Sequence, residues 1–120
     1  MIRTKASKEL EKKATIEQRA GLSDLVTRYI KDGPAALPPK KFNGNEGWFP
    51  SDKAPRKVRL EAFKPWQLRA YGFCREFNGR PTFFVTGIDP SKKQNRADQE
   101  ILRAAGKEAA SLNEILEACT

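Results

Sequence analysis

The chain contains no histidine, and only two cysteines and one methionine among its 120 residues. Each shortage closes off a chemistry. Without histidine there is no Ser-His-Asp or Cys-His pair for nucleophilic catalysis, and a zinc site loses its usual nitrogen ligand. Cys74 and Cys119 lie far apart and lack metal-ligand spacing, so they read as two reduced buried thiols of a cytoplasmic protein, with no metal and no cofactor. No run approaches the roughly 18 apolar residues of a membrane span. The first residues carry no apolar segment of the signal-peptide kind, so neither secretion nor a membrane partner is expected. A glycine-rich phosphate loop is also missing: Gly44 and Gly47 lack the strand–turn–helix context and the Lys-Ser/Thr that should follow. Acidic pairs such as Glu9 and Glu11 fall on a charged helix, and no two acids are placed for glycosidase or two-metal work.

Positive charge is what the chain does have. Net charge is +8, the isoelectric point is about 9.7 and mean hydropathy is −0.69. Residues 56–103 carry 11 Lys or Arg against 5 Asp or Glu, whereas residues 104–120 carry 1 against 3. The excess thus gathers around the middle of the chain, and a polyanionic partner, nucleic acid or ribosome, is the natural inference. A length of 120 residues with 38% hydrophobic content fits one domain with one modest core.

The stretch WQLRAYGFCREFNGRPTFFVTGI, residues 66–88, reads as one β-hairpin. Asn78-Gly79 between aromatic and β-branched runs asks for a type I′ turn, which needs φ > 0 at both central residues. A two-residue loop sets the register: Phe77 faces Arg80, Arg75 Thr82, Phe73 Phe84, Tyr71 Thr86 and Arg69 Ile88. One face (Leu68, Ala70, Gly72, Cys74, Phe83, Val85) is apolar and is assigned to packing on helices. The other (Arg69, Tyr71, Phe73, Arg75, Thr82, Phe84, Thr86) mixes cations, aromatics and hydroxyls and is assigned as the working face, although Phe73 and Phe84 fit a core equally well.

Residues 7–32 read as helical, with Leu22, Leu25, Val26, Tyr29 and Ile30 on one face and Gly33-Pro34 as the stop. A helical hairpin or kink broken near Gly21 is expected; Thr15-x-x-Gln18 is a competing capping box. Residues 33–55, rich in Pro and Gly, read as a loop without regular structure that Trp48 and Phe49 pin to the body. RKVRLEAFK (56–64) reads as a strand, giving a three-stranded antiparallel meander over 56–89, and residues 2–5 could add an edge strand. A C-terminal helix follows over 96–118, with Asn95 and Asp98 at its start, a face of Ile101, Ala105, Ala109, Leu112 and Leu116, and a break around 106–111. The fold class is therefore α+β: a small antiparallel three- to four-stranded sheet with an N-terminal helical hairpin on one face and a C-terminal helix.

Arg59 and Glu61 of the first strand, Arg69, Tyr71 and Arg75 of the second, and Lys92, Lys93 and Arg96 after the third would fall side by side in such a meander and line one groove. That groove has the groups for metal-independent RNA cleavage. A base takes the 2′-hydroxyl proton, cations stabilise the charge building on phosphorus, and an acid protonates the leaving 5′-oxygen. A lysine whose pKa is depressed by cationic neighbours can replace the missing histidine. Phosphate contact without chemistry is the equal alternative.

The helical segment ending at Gly33, the strand 56–64, LRAYGF at 68–73 and above all TFFVTGIDPSKKQNRADQEILRAA carry a resemblance. In that last stretch an apolar strand ends in Gly, two lysines follow a short turn, and a helix opens with an acid before an Ile-Leu pair. The chain resembles the RelE/ParE toxin superfamily, and within it the phage-derived HigB-like branch. The resemblance implies a small antiparallel sheet with helices packed on one face. It further implies a toxin component of a type II toxin-antitoxin system that cleaves mRNA, often on the ribosome, or else a protein of the same fold that inhibits a host machine such as DNA gyrase. A cognate antitoxin is the implied partner. The position of the middle-strand Arg of the RNases is matched by Arg69, and that of the basic residue after the last strand by Lys92 or Lys93. Arg59, Lys64, Arg75 and Arg96 become additional RNA contacts. The chain departs from the family pattern in having no Tyr or His near the C-terminal helix, in Asn95-Arg96-Ala97 where Lys-Thr-Pro is common, and in a longer loop at 38–55. Tyr71 is left as the acid.

Overall fold

The computed structural model describes residues 4–50, 57–65, 67–90 and 98–118. Two helices open the chain, α1 (Lys5–Lys13) and α2 (Ile16–Asp32). Both begin with a reciprocal cap. Thr4 accepts the Ser7 amide at 3.0 Å while Ser7 Oγ accepts the Thr4 amide at 2.7 Å. Thr15 and Gln18 exchange the same pair of bonds, each at 3.0 Å. The helical region therefore breaks at Ala14-Thr15 and not near Gly21, which stays inside α2. Two satisfied amides at Thr15 outweigh the ~1 kcal/mol that a mid-helix glycine costs. Gly33 ends α2 at φ 85°, a conformation that suits glycine. Of the expected α2 face, Leu22, Leu25 and Val26 are buried, whereas Ile30 is exposed.

Residues 33–50 are more ordered than their Pro and Gly content implies. A 3-10 turn spans Pro34–Ala36, and two short strands follow, β1 (Phe42–Asn43) and β2 (Trp48–Phe49). The expected single strand over 56–64 is two: β3 (Val58–Arg59) pairs antiparallel with β2, and β4 (Glu61–Phe63) pairs with β1 and with β5 (Arg69–Phe77). Leu60 is the switch between them, exchanging backbone bonds with Glu46 (2.8 Å) and Gly47 (2.9 Å). The hairpin closes with β6 (Arg80–Asp89). The main sheet has the order β1-β4-β5-β6, all antiparallel, and β2-β3 forms a second sheet. The edge strand beside β4 is thus β1. Thr4 and Lys5, expected to help form one, cap and open α1, and residues 2–3 lie outside the described residues.

Asn78 (φ 50°) and Gly79 (φ 76°) adopt the turn that the Asn-Gly pair demands. The register from Phe77↔Arg80 through Phe73↔Phe84 is the one counted from that turn. Beyond it a bulge intervenes: Gly72 pairs with Val85 but Tyr71 pairs with Gly87, so Arg69 faces Asp89 instead of Ile88. The extra residue, Thr86, donates its hydroxyl to the Ala105 carbonyl at 2.8 Å. β4 accompanies β5 only as far as Gly72; no described strand pairs with Phe73–Phe77 on that side.

The apolar hairpin face packs on α1 and α2, as expected from its side chains: Leu68, Ala70, Phe83 and Val85 share one core with Leu10, Leu22, Leu25 and Phe63. The opposite face is not open. Tyr71, Phe73 and Phe84 form a second core with α3 (Gln99–Ala118), through Leu102, Ala105 and Ala109. Helices therefore cover both faces, a correction to the one-sided packing that the resemblance implies. α3 runs unbroken through 106–111, because Gly106 is where the Phe49 ring comes closest and the helix has no reason to stop. Asp98 caps its start, accepting the amides of Glu100 (2.9 Å) and Ile101 (3.2 Å); Asn95 lies outside the described residues. Among the described residues no helix is long and apolar enough to cross a membrane.

Candidate functional site

At one end of the sheet, three residues singled out from sequence converge. Lys64 follows β4, Arg69 opens β5, and Tyr71 stands two residues further on the same face. Arg69 is 9% exposed and its guanidinium lies 3.6 Å from Glu46. Asn43 steadies that carboxylate through a 3.0 Å bond. Glu46 is the one acid between Asp32 and Asp52, and it reaches this position because residues 43–47 fold through successive Asn turns, Asn43 accepting from Asn45 and Asn45 from Gly47. Reading residues 33–55 as a bare loop missed it; a lone acid in a basic, Asn-Gly-rich turn was the available signal.

Lys64 is half-buried and donates to the Pro39 carbonyl at 3.1 Å. Burial pushes its pKa below the ordinary lysine value, the Arg69 charge pushes it further, and Glu46 acts in opposition. Tyr71 is fully buried. Its hydroxyl lies beside the Arg69 guanidinium, which is its polar neighbour in the core. Burial raises the Tyr71 pKa, and the hydrogen bond and charge of Arg69 offset only part of the rise. The residue read from sequence as the acid is thus enclosed under α3, away from solvent.

The other residues of the expected groove lie elsewhere. Glu61 pairs with Gly72 across β4 and β5, so it shares the Cys74 face and not the Arg69–Tyr71 face. Its carboxylate accepts from the Tyr29 hydroxyl at 2.8 Å and from the Cys74 amide at 3.2 Å. Burial raises its pKa despite those bonds and the nearby Arg59 charge. Burial likewise raises Tyr29, assisted by the Glu61 hydrogen bond. Arg75 points to α3, bonding Asn113 at 2.8 Å and Glu117 at 3.5 Å. Arg59 is exposed and lies over the Trp48 ring. Together Arg59, Glu61, Arg75 and Trp48 border a groove of about 560 Å³ at the β5 edge. Six residues of strand separate Arg69 from Arg75, roughly 20 Å.

The single groove expected from sequence is thus two regions, one at Lys64–Arg69 and one at Arg59–Arg75. Lys92, Lys93 and Arg96 lie outside the described residues; Asp89 and Pro90, which precede them, sit at the Arg69 end of the sheet. The described residues hold no cluster of three or more His, Cys, Asp or Glu suited to a metal. Comparison of the chain with protein-family models, with curated proteins and with solved structures gave no match.

Proposed function

We propose that the chain is a toxin-like endoribonuclease of the RelE/ParE kind, acting without a metal on mRNA, including mRNA on the ribosome, and restrained by a cognate antitoxin. The observation that carries the reading is Lys64, whose ammonium loses basicity to burial and to Arg69 at the sheet end from which Lys92, Lys93 and Arg96 follow. In the neutral form Lys64 Nζ takes the 2′-hydroxyl proton. The 2′-oxygen bonds to phosphorus, the bond from phosphorus to the 5′-oxygen breaks, and the departing oxygen takes a proton from Lys92 or Lys93. Arg69 exchanges Glu46 for the phosphate and stabilises its added charge.

The second reading, a RelE-fold protein that inhibits a host protein such as gyrase without cutting RNA, draws on a different observation. Arg69 is already neutralised by Glu46 and Tyr71 is sealed. Substituting Lys64 separates the two. Arginine keeps the charge but cannot give up its proton near neutrality. Under the nuclease reading, Lys64→Arg protein folds and binds RNA, yet no longer arrests growth or cleaves translated mRNA. Growth arrest that persists without cleavage in the wild type would transfer the assignment to the inhibitor.

A further inference from the structure

Trp48 is 55% exposed although it sits in a strand. Its neighbour Phe49 does the anchoring that the sequence assigns to both. The Phe49 ring lies where a Cβ on Gly106 of α3 would be only 2.3 Å away, and it packs against the core that α3 shares with the sheet. Trp48 contributes nothing to that core. Its cross-strand partner is Arg59, which holds its guanidinium 5.8 Å from the ring centroid. A cation over an indole keeps the ring in place while leaving other surface open. Lys57 is exposed next to this pair and has no ion-pair partner among the described residues. The 560 Å³ groove starts here. Three acids line it: Glu61 is engaged by Tyr29 and Cys74, Glu117 by Arg75, and Glu76 is exposed further along β5. Arg59 and Lys57, beside the ring, are themselves exposed.

An open aromatic ring, an arginine stacked on it and an exposed lysine are what a single-stranded nucleic acid requires. The ring takes an unstacked base and the cations take phosphate. A duplex keeps its bases stacked and has no use for the ring. An extended peptide adding to the β5 edge would meet the Cys74 amide already taken by Glu61 and would gain little from Trp48. We propose that Trp48 and Arg59 form a base-stacking platform for single-stranded RNA, with Lys57 on the phosphate backbone, at the opposite end of β5 from Lys64 and Arg69. The proposal rests on the RNA reading above for its choice of ligand. It adds a second contact that fixes how a strand lies along the protein.

The test uses a labelled 2′-O-methyl oligouridine of about twelve nucleotides, which lacks the attacking hydroxyl and so reports binding alone. Trp48→Ala is expected to weaken binding roughly tenfold and Trp48→Phe to restore most of it, with both proteins melting like the wild type. Lys57→Gln is expected to lower the salt slope by about 0.7. Equal binding by wild type and Trp48→Ala would overturn the platform, as would an equal loss on a duplex of the same length. Loss of a protein partner with oligouridine binding intact would also overturn it, by making the surface a protein contact. The two proposals fail separately. Trp48-dependent binding by a wild type that never cuts RNA retires the nuclease alone, and cleavage indifferent to Trp48 retires the platform alone.

Discussion

Cys74 is half-buried beside the Glu61 carboxylate, and burial first, then that negative charge, pushes its thiol up to about 11 from an ordinary value of 9.0. The folded chain holds the thiol proton in a range where the unfolded chain releases it. The associated stability is complete below pH 9 and disappears as pH rises through 11. Alkylation of Cys74 in the folded protein is expected to accelerate around pH 11, whereas denatured protein should react from about pH 9. A mass-resolved rate profile checks this, and acceleration near 9 in the native state would contradict the placement. That Cys74 lies on the apolar face of the hairpin was legible from its alternation with Leu68, Ala70 and Gly72. That Glu61 lies next to it was not, because the offset of β4 against β5 is set by residues 64–68 and not by a two-residue turn. The same ignorance put Glu61 with Arg69 and Tyr71 in one groove.

At the level of elements, local chemistry that satisfies backbone groups proved readable. The Asn78-Gly79 turn and the stop at Gly33 have φ requirements that few residues meet, whereas Asp98, read as the partner of a cap at Asn95, is itself the residue that accepts the first amides of α3. Thr15 with Gln18 met the same standard against the weaker claim of Gly21. Thr15→Ala should therefore cost about 1 kcal/mol, seen as a fall in Tm of roughly 4 °C, and an unchanged melt would mean that packing alone holds the start of α2. The bulge at Thr86 left no such local mark. It exists because Gly87 lies against Ala105, where an added Cβ would fall 2.5 Å from the alanine methyl, and because Thr86 finds an acceptor on α3. Both causes lie some twenty residues away in sequence.

For the whole molecule, the decisive fact is that α3 closes the face carrying Arg69, Tyr71 and Arg75. A row of cations and hydroxyls reads as solvent-facing from sequence, yet Tyr71, Phe73 and Phe84 on that row are the aromatic half of a core, and Arg75 reaches past it to Asn113 and Glu117. Fully burying each large apolar side chain is worth about 1.5–3 kcal/mol, so the three aromatics together supply a large share of the roughly 5–15 kcal/mol that holds a domain folded. A chain ending before residue 98 is expected to bind a hydrophobic dye and lose its sharp thermal transition, which calorimetry would register. A cooperative melt in the shortened chain would show that α1, α2 and the sheet suffice.

The unaccompanied stretch of β5 has a consequence for behaviour in concentrated solution. A strand margin with free amides and carbonyls invites a second molecule to zip onto it. Here the first open amide past β4, that of Cys74, is occupied by the Glu61 carboxylate, a group whose burial works against its charge. The acid therefore acts as a stopper: it takes the first rung of the ladder and places negative charge where an incoming strand would dock. Its disfavoured burial is then the cost of keeping separate copies of the chain apart.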